Sequence, residues 1–222
     1  LSVHSVVSWD FAMSIVPGWH TTIFAPYFVA GAIYSGLAMV VTLLVPLRTA
    51  FKLERYIHED HFENLAKLLL LTGMIVGYAY VCEFFIAWYS GNPIERAAFY
   101  NRAFGDYWWA SWTMLICNGF LPFVLWSRKV RRSIPVMFVI SLFINLGMWF
   151  ERFVIIVVSL SFEYEPFAHG HYTPSWVDWS ILAGSFGWFF TWFLLFAKNF
   201  PMVSIAEVKE ILPMPRKERA HA

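Results

Sequence analysis

Residues 134–160 read IPVMFVISLFINLGMWFERFVIIVVSL, and this stretch decides the fold. A helix rises about 1.5 Å per residue, so one running through it crosses the roughly 30 Å hydrocarbon core of a bilayer. Its only charged residues are Glu151 and Arg152, and its apolar residues form a block rather than a one-sided stripe. That is the pattern of a helix whose outer solvent is lipid. Four more blocks pass the same test, at residues 22–47, 62–89, 107–126 and 177–197. Proline and polar clusters at 48–61, 90–106, 127–133 and 161–176 separate them, and none has room for a soluble domain. The predicted fold is all-α, a polytopic transmembrane helix bundle of about five spans. Residues 1–21 form an outer-face interfacial segment, 22–198 the bundle and 199–222 a cytoplasmic tail. The first segment mixes Ser2, His4, Ser5, Ser8 and Asp10 with apolar residues, which favours the interface over the end of an earlier span.

Composition agrees. Of the 222 residues 59% are hydrophobic, 20% aromatic and only 14% charged, against about 25% charged in a soluble domain. A net charge of +1 supplies no field for nucleic acid. Cys82 and Cys117 both lie in apolar blocks without CxxC spacing, so they make neither a zinc nor an iron–sulfur site. His4, His20, His58, His61, His169, His171 and His221 all fall in loops, boundaries or the tail. A haem within the bundle needs imidazoles from the spans, so no haem or metal is expected in this chain. His169 and His171 read as a solvated loop. The chain begins at Leu1 and is read as the later part of a longer protein.

Lys and Arg set the orientation. With five spans, every one of them except Arg96, Arg102 and Arg152 falls on one side, the cytoplasmic side, where the C-terminus also lies. Trp88, Tyr89, Trp108, Trp109, Trp112, Trp176 and Trp179 form an aromatic belt at the other face.

Ionisable groups inside a bilayer cost roughly 2.5–3.5 kcal/mol each and point to function. Glu83, Glu151 and Arg152 all lie roughly 9–14 Å below the outer surface at the helical rise. Arg152 is expected to pair with Glu83 or Glu151, because an unpaired charge there is destabilising. Ser141, Asn145 and Arg152 follow helical spacing, Tyr80 lies one turn from Glu83, and Asn118 is mid-span.

Three stretches carry a family resemblance: 5–12 (SVVSWDFA), 17–28 (PGWHTTIFAPYF) and 145–152 (NLGMWFER). They resemble the NrfD/PsrC family of quinone-interacting membrane subunits, and most of all the ActC and ActF subunits of bacterial alternative complex III. The resemblance implies the second half of a roughly ten-helix subunit in the bacterial cytoplasmic (inner) membrane, surrounded by lipid and by a homologous membrane subunit. It implies a bound quinone of the menaquinone type, oxidised from quinol near the periplasmic face. An extrinsic iron–sulfur protein would take the electrons and pass them to c-type haem. Carried onto this sequence, Asp10 and Arg152 are the pocket candidates, with Trp9 and His20 beside them as quinone contacts. Asp10 is then the proton acceptor, Glu83 and Glu151 a relay or counter-charge, and Arg152 holds their charge state or a quinol oxygen. Two other functions fit the same residues: a proton translocator built on the polar line with Glu83, and a structural anchor for a peripheral redox enzyme. An anchor has no need of the buried charges.

Overall fold

The computed structural model describes residues 2–162, 165, 167 and 169–204. Among these it contains helices and no strand, and five helices are long and apolar enough to cross a membrane. The spans are α2 (Phe24–Ala50), α3 (Glu59–Tyr89), α5 (Trp108–Trp126), α7 (Ile134–Val158) and α8 (Trp176–Asn199). Shorter helices accompany them: α1 (Ser2–Ala12) before the first span, a 3-10 turn (Leu53–Arg55) after it, α4 (Pro93–Phe104) and α6 (Arg128–Arg132). The predicted cytoplasmic tail lies outside the described residues from position 205 onward, with Lys209, Arg216, Lys217, Arg219 and His221.

Two units divide the chain, residues 1–172 and 173–222. In the first, α2, α3, α5 and α7 close into a ring: α2 touches α3 and α7, and α5 touches both of the same two helices. α1 lies along α2, and α4 packs against α3 and α5. The centre is filled by Tyr34, Val41, Phe62, Leu69, Val76, Met137 and Ile144. Large apolar side chains also cover the outside, among them Leu71, Ile75, Val81, Phe85, Val139 and Phe143. A water-soluble bundle does not present such a surface, and a lipid-embedded one must.

Local chemistry explains the helix ends. The His58 and His61 side chains close a capping box at the start of α3, with Glu59 and Asp60 against the helix dipole. At α4, Asn92 Oδ1 accepts the Ile94 N–H at 2.9 Å, and Pro93 occupies the first turn, where its missing N–H costs nothing. At the opposite end of the ring Glu63 is buried among Lys67, Arg128 and Arg132, at 3.5–3.7 Å. In the second unit, α8 opens with a capping box between Ser175 and Asp178 and carries a ring ladder, Phe189 on Phe193 and Trp188 on Trp192.

Two spans depart from α geometry. α5 passes from an α-helical turn into a π-helical stretch, Leu115–Phe120, and then a 3-10 stretch, Leu121–Trp126. α7 ends in a π-helical stretch, Val154–Val158. Such widened turns re-aim side chains and are frequent at functional sites.

Candidate functional site

The π-helical stretch of α5 points Asn118 at the centre of the ring, where it is fully buried. Glu151 of α7, also fully buried, faces it. Tyr80 of α3 donates its hydroxyl to Glu151 Oε2 at 2.5 Å. The Asn118 amide donates to the Tyr80 oxygen at 3.1 Å and to Glu151 Oε2 at 3.4 Å. Three helices thus converge on one carboxylate.

The other carboxylate oxygen, Oε1, lies 3.5 Å from Arg152 Nη2. Arg152 therefore meets Glu151, its neighbour on the same helix. Its guanidinium stands 4.3 Å over the Phe28 ring of α2, a cation–π contact. Phe28 stacks on Phe11 of α1, so the arginine and α1 share one aromatic platform. Arg152 Nη1 is buried with no hydrogen-bond partner, as are Glu151 Oε1, Asn118 Oδ1 and Tyr34 Oη. Gly31 lets α2 pass close: a Cβ there would stand 3.5 Å from Glu151 Oε1 and 3.7 Å from Arg152 Nη2.

The other expected residues are placed as follows. Asp10 and Trp9 are exposed on α1, immediately before the Phe11 that packs on Phe28. His20 is paired with Glu95 of α4, Nε2 to Oε1 at 2.6 Å. Trp19 beside it donates its indole N–H to the Ile155 carbonyl in the π-helical end of α7, at 2.7 Å. Glu83 is buried one turn beyond Tyr80 and meets neither Glu151 nor Arg152 directly. The positive charge that acts on it belongs to Arg102 of α4.

Arg102 is buried, donates from Nη2 to Ser159 Oγ at 2.8 Å and lies over Phe99. Burial lowers its pKa from the usual guanidinium value, and Glu83 opposes that shift. It also crosses Gly18, whose φ of +81° suits glycine and where a Cβ would meet Arg102 Nη2 at 2.6 Å. Reading the sequence alone leaves Arg102 in a loop. The signal for its burial is present, though: Asn92-Pro93 opens a helix, and Glu95, Ala98, Phe99 and Arg102 fall on one face of it. Further along α7, Asn145 Nδ2 donates to Thr42 Oγ1 of α2, which also meets Ser141 Oγ, both at 2.9 Å.

Among the described residues no group of three His, Cys, Asp or Glu side chains is arranged to hold a metal. The site is instead a membrane-embedded set of hydrogen-bonding and charged groups, able to hold an uncharged polar headgroup and to move protons.

The family model for polysulphide reductase, NrfD, matches residues 1–162. The chain is also similar to a putative dimethyl sulfoxide reductase membrane subunit of Halobacterium salinarum, 32% identical over 158 residues. That match covers 68% of this chain and 35% of the relative, so the chain spans about a third of the relative's length. With the matched segment running from α1 through the end of α7, and so including the Tyr80–Asn118–Glu151–Arg152 cluster, the chain belongs to the polysulphide reductase NrfD family.

Proposed function

We propose that this chain is part of a quinone-interacting membrane subunit of a bacterial inner-membrane redox complex, and that it takes part in oxidising quinol near the periplasmic face. One observation carries the proposal: Arg152 Nη1 is buried with no hydrogen-bond partner, beside the Glu151 carboxylate and on the platform that α1 and α2 share. Unsatisfied polar atoms cost about 1–3 kcal/mol each, more when charged. They are retained where a ligand completes them.

Oxidation releases two electrons and two protons from the quinol hydroxyls. Arg152 holds a quinol oxygen and the charge of Glu151. Asp10, exposed on α1 beside the platform, accepts a proton and passes it to the outer aqueous phase. Tyr80 and Asn118 hold Glu151 as a second acceptor, with Glu83 as counter-charge to Arg102. The electrons leave to an extrinsic iron–sulfur protein and onward to c-type haem. Resemblance to the ActC and ActF subunits of alternative complex III favours menaquinol as the substrate, a homologous membrane subunit as neighbour and a cytoplasmic C-terminus. Proton translocation is a second reading, favoured by the Asn145–Thr42–Ser141 hydrogen bonds and the orphaned Tyr34 hydroxyl on the cytoplasmic side of Glu151.

Quinol turnover by the assembled complex tests the proposal. Asp10→Asn lowers it by roughly 10²-fold or more, the scale of a lost proton acceptor, and Arg152→Gln by at least about tenfold, the scale of a lost hydrogen bond to a charged group. Assembly survives in the first variant because Asp10 is exposed. Wild-type turnover in both variants would overturn the assignment.

A further inference from the structure

A cleft of about 710 Å³ opens between α3, α4 and α5, with Val154 of α7 at its back. None of its walls comes from α1 or α2, so it is separate from the Arg152 platform. Its size falls within the ≈ 300–1,000 Å³ of small-molecule sites. The sides are flat and apolar: Phe84, Trp112, Leu115, Phe120 and Phe123. Gly77 and Gly119 keep it open, since a Cβ on Gly77 would find nothing nearer than the Gly119 backbone at 3.9 Å.

One of its few polar groups has no partner. Ser111 is nine-tenths buried, and its hydroxyl has no hydrogen-bond partner. Glu83 is only 7% exposed and stands against the charge of Arg102. Arg102 lies at the same wall with one nitrogen committed to Ser159. Tyr80 forms part of the lining while its hydroxyl rests on Glu151. An acyl chain offers nothing to Glu83 or Ser111, and a phosphate headgroup would meet the Glu83 carboxylate. A flat ring with hydroxyl or carbonyl oxygens and an apolar tail satisfies the walls and the polar groups together. Glu83 lies about 9 Å from the end of α3, at the helical rise, within reach of a molecule entering from the outer leaflet.

We infer that this cleft is a second quinone-class site, distinct from the Arg152 platform, with Glu83 and Ser111 as hydrogen-bond partners of the ring oxygens. The inference rests on the quinone reading above, and its test separates the two. Membranes containing the assembled complex are labelled with a photoreactive azidoquinone, and the labelled peptides are identified by mass spectrometry. Label is expected on peptides carrying Phe84 or Trp112, competed by unlabelled quinone. Ser111→Ala, which removes a hydroxyl with no partner of its own, should weaken that labelling about five- to tenfold, and Gly77→Leu should abolish it by filling the cleft. Unchanged labelling in both variants would overturn the inference, as would density for a protein helix or acyl chain in the cleft of the assembled complex. Competed label confined to peptides carrying Asp10, Phe28 or Arg152 would overturn the second site alone. No competed label anywhere on the chain would overturn the quinone reading as well.

Discussion

At Gly147 the backbone of α7 comes so near α5 that a Cβ would collide with Asn118 Oδ1 and Cys117 Cβ. That approach brings Asn118 to Glu151 and Tyr80. Gly147→Ala is therefore expected to destabilise the protein by about 1–3 kcal/mol, the usual result of overpacking a filled interior. Gly36→Ala, with nothing within 4 Å of its added methyl, is the control and should be neutral or stabilising by up to about 1 kcal/mol. Thermal unfolding of the purified protein in detergent compares them, and equal midpoints would refute the packing account. Single residues were only partly legible in sequence. Glu83, Glu151 and Arg152 stand out because charge in an apolar run is costly. Their partners do not, because helical spacing says which residues share a face but not which face meets which helix. Arg152 thus lies against its own neighbour, and Glu83 lies near Arg102, which no periodicity in α3 or α7 could indicate.

Among the elements, the spans follow from hydrophobic length alone, and their observed ends fall within a few residues of the expected ones. What length does not reveal is α4. Its apolar face is short and its charges look solvated until the Asn92 cap and Pro93 are read together. This helix positions Arg102 and, through Glu95, holds His20. Asn92→Ala should remove about 1 kcal/mol of capping, speeding amide exchange of residues 94–104 about fivefold while α3 and α7 keep their protection. Hydrogen–deuterium exchange by mass spectrometry reads this directly, and unchanged α4 exchange would show that packing rather than the cap holds the helix. The π-helical stretch of α7 has no breaker residue to announce it, whereas that of α5 runs into Pro122, which cannot donate to the Asn118 carbonyl four residues earlier.

At the scale of the first unit, residues 1–172, lipid-facing apolar side chains surround an apolar core, and within that core one polar cluster joins Tyr80, Asn118 and Glu151 from three helices. Polar groups are costly inside a membrane and are kept there for use. The central claim is that these buried carboxylates respond to quinone chemistry. Redox-induced infrared difference spectroscopy on the assembled complex tests it most directly, by following the carboxyl C=O stretches as bound quinol is oxidised. The account predicts a carboxyl band in the wild-type difference spectrum that is lost or shifted in Glu151→Gln, Glu83→Gln or both, with the quinone bands retained. Identical carboxyl regions in the wild type and both variants would contradict it.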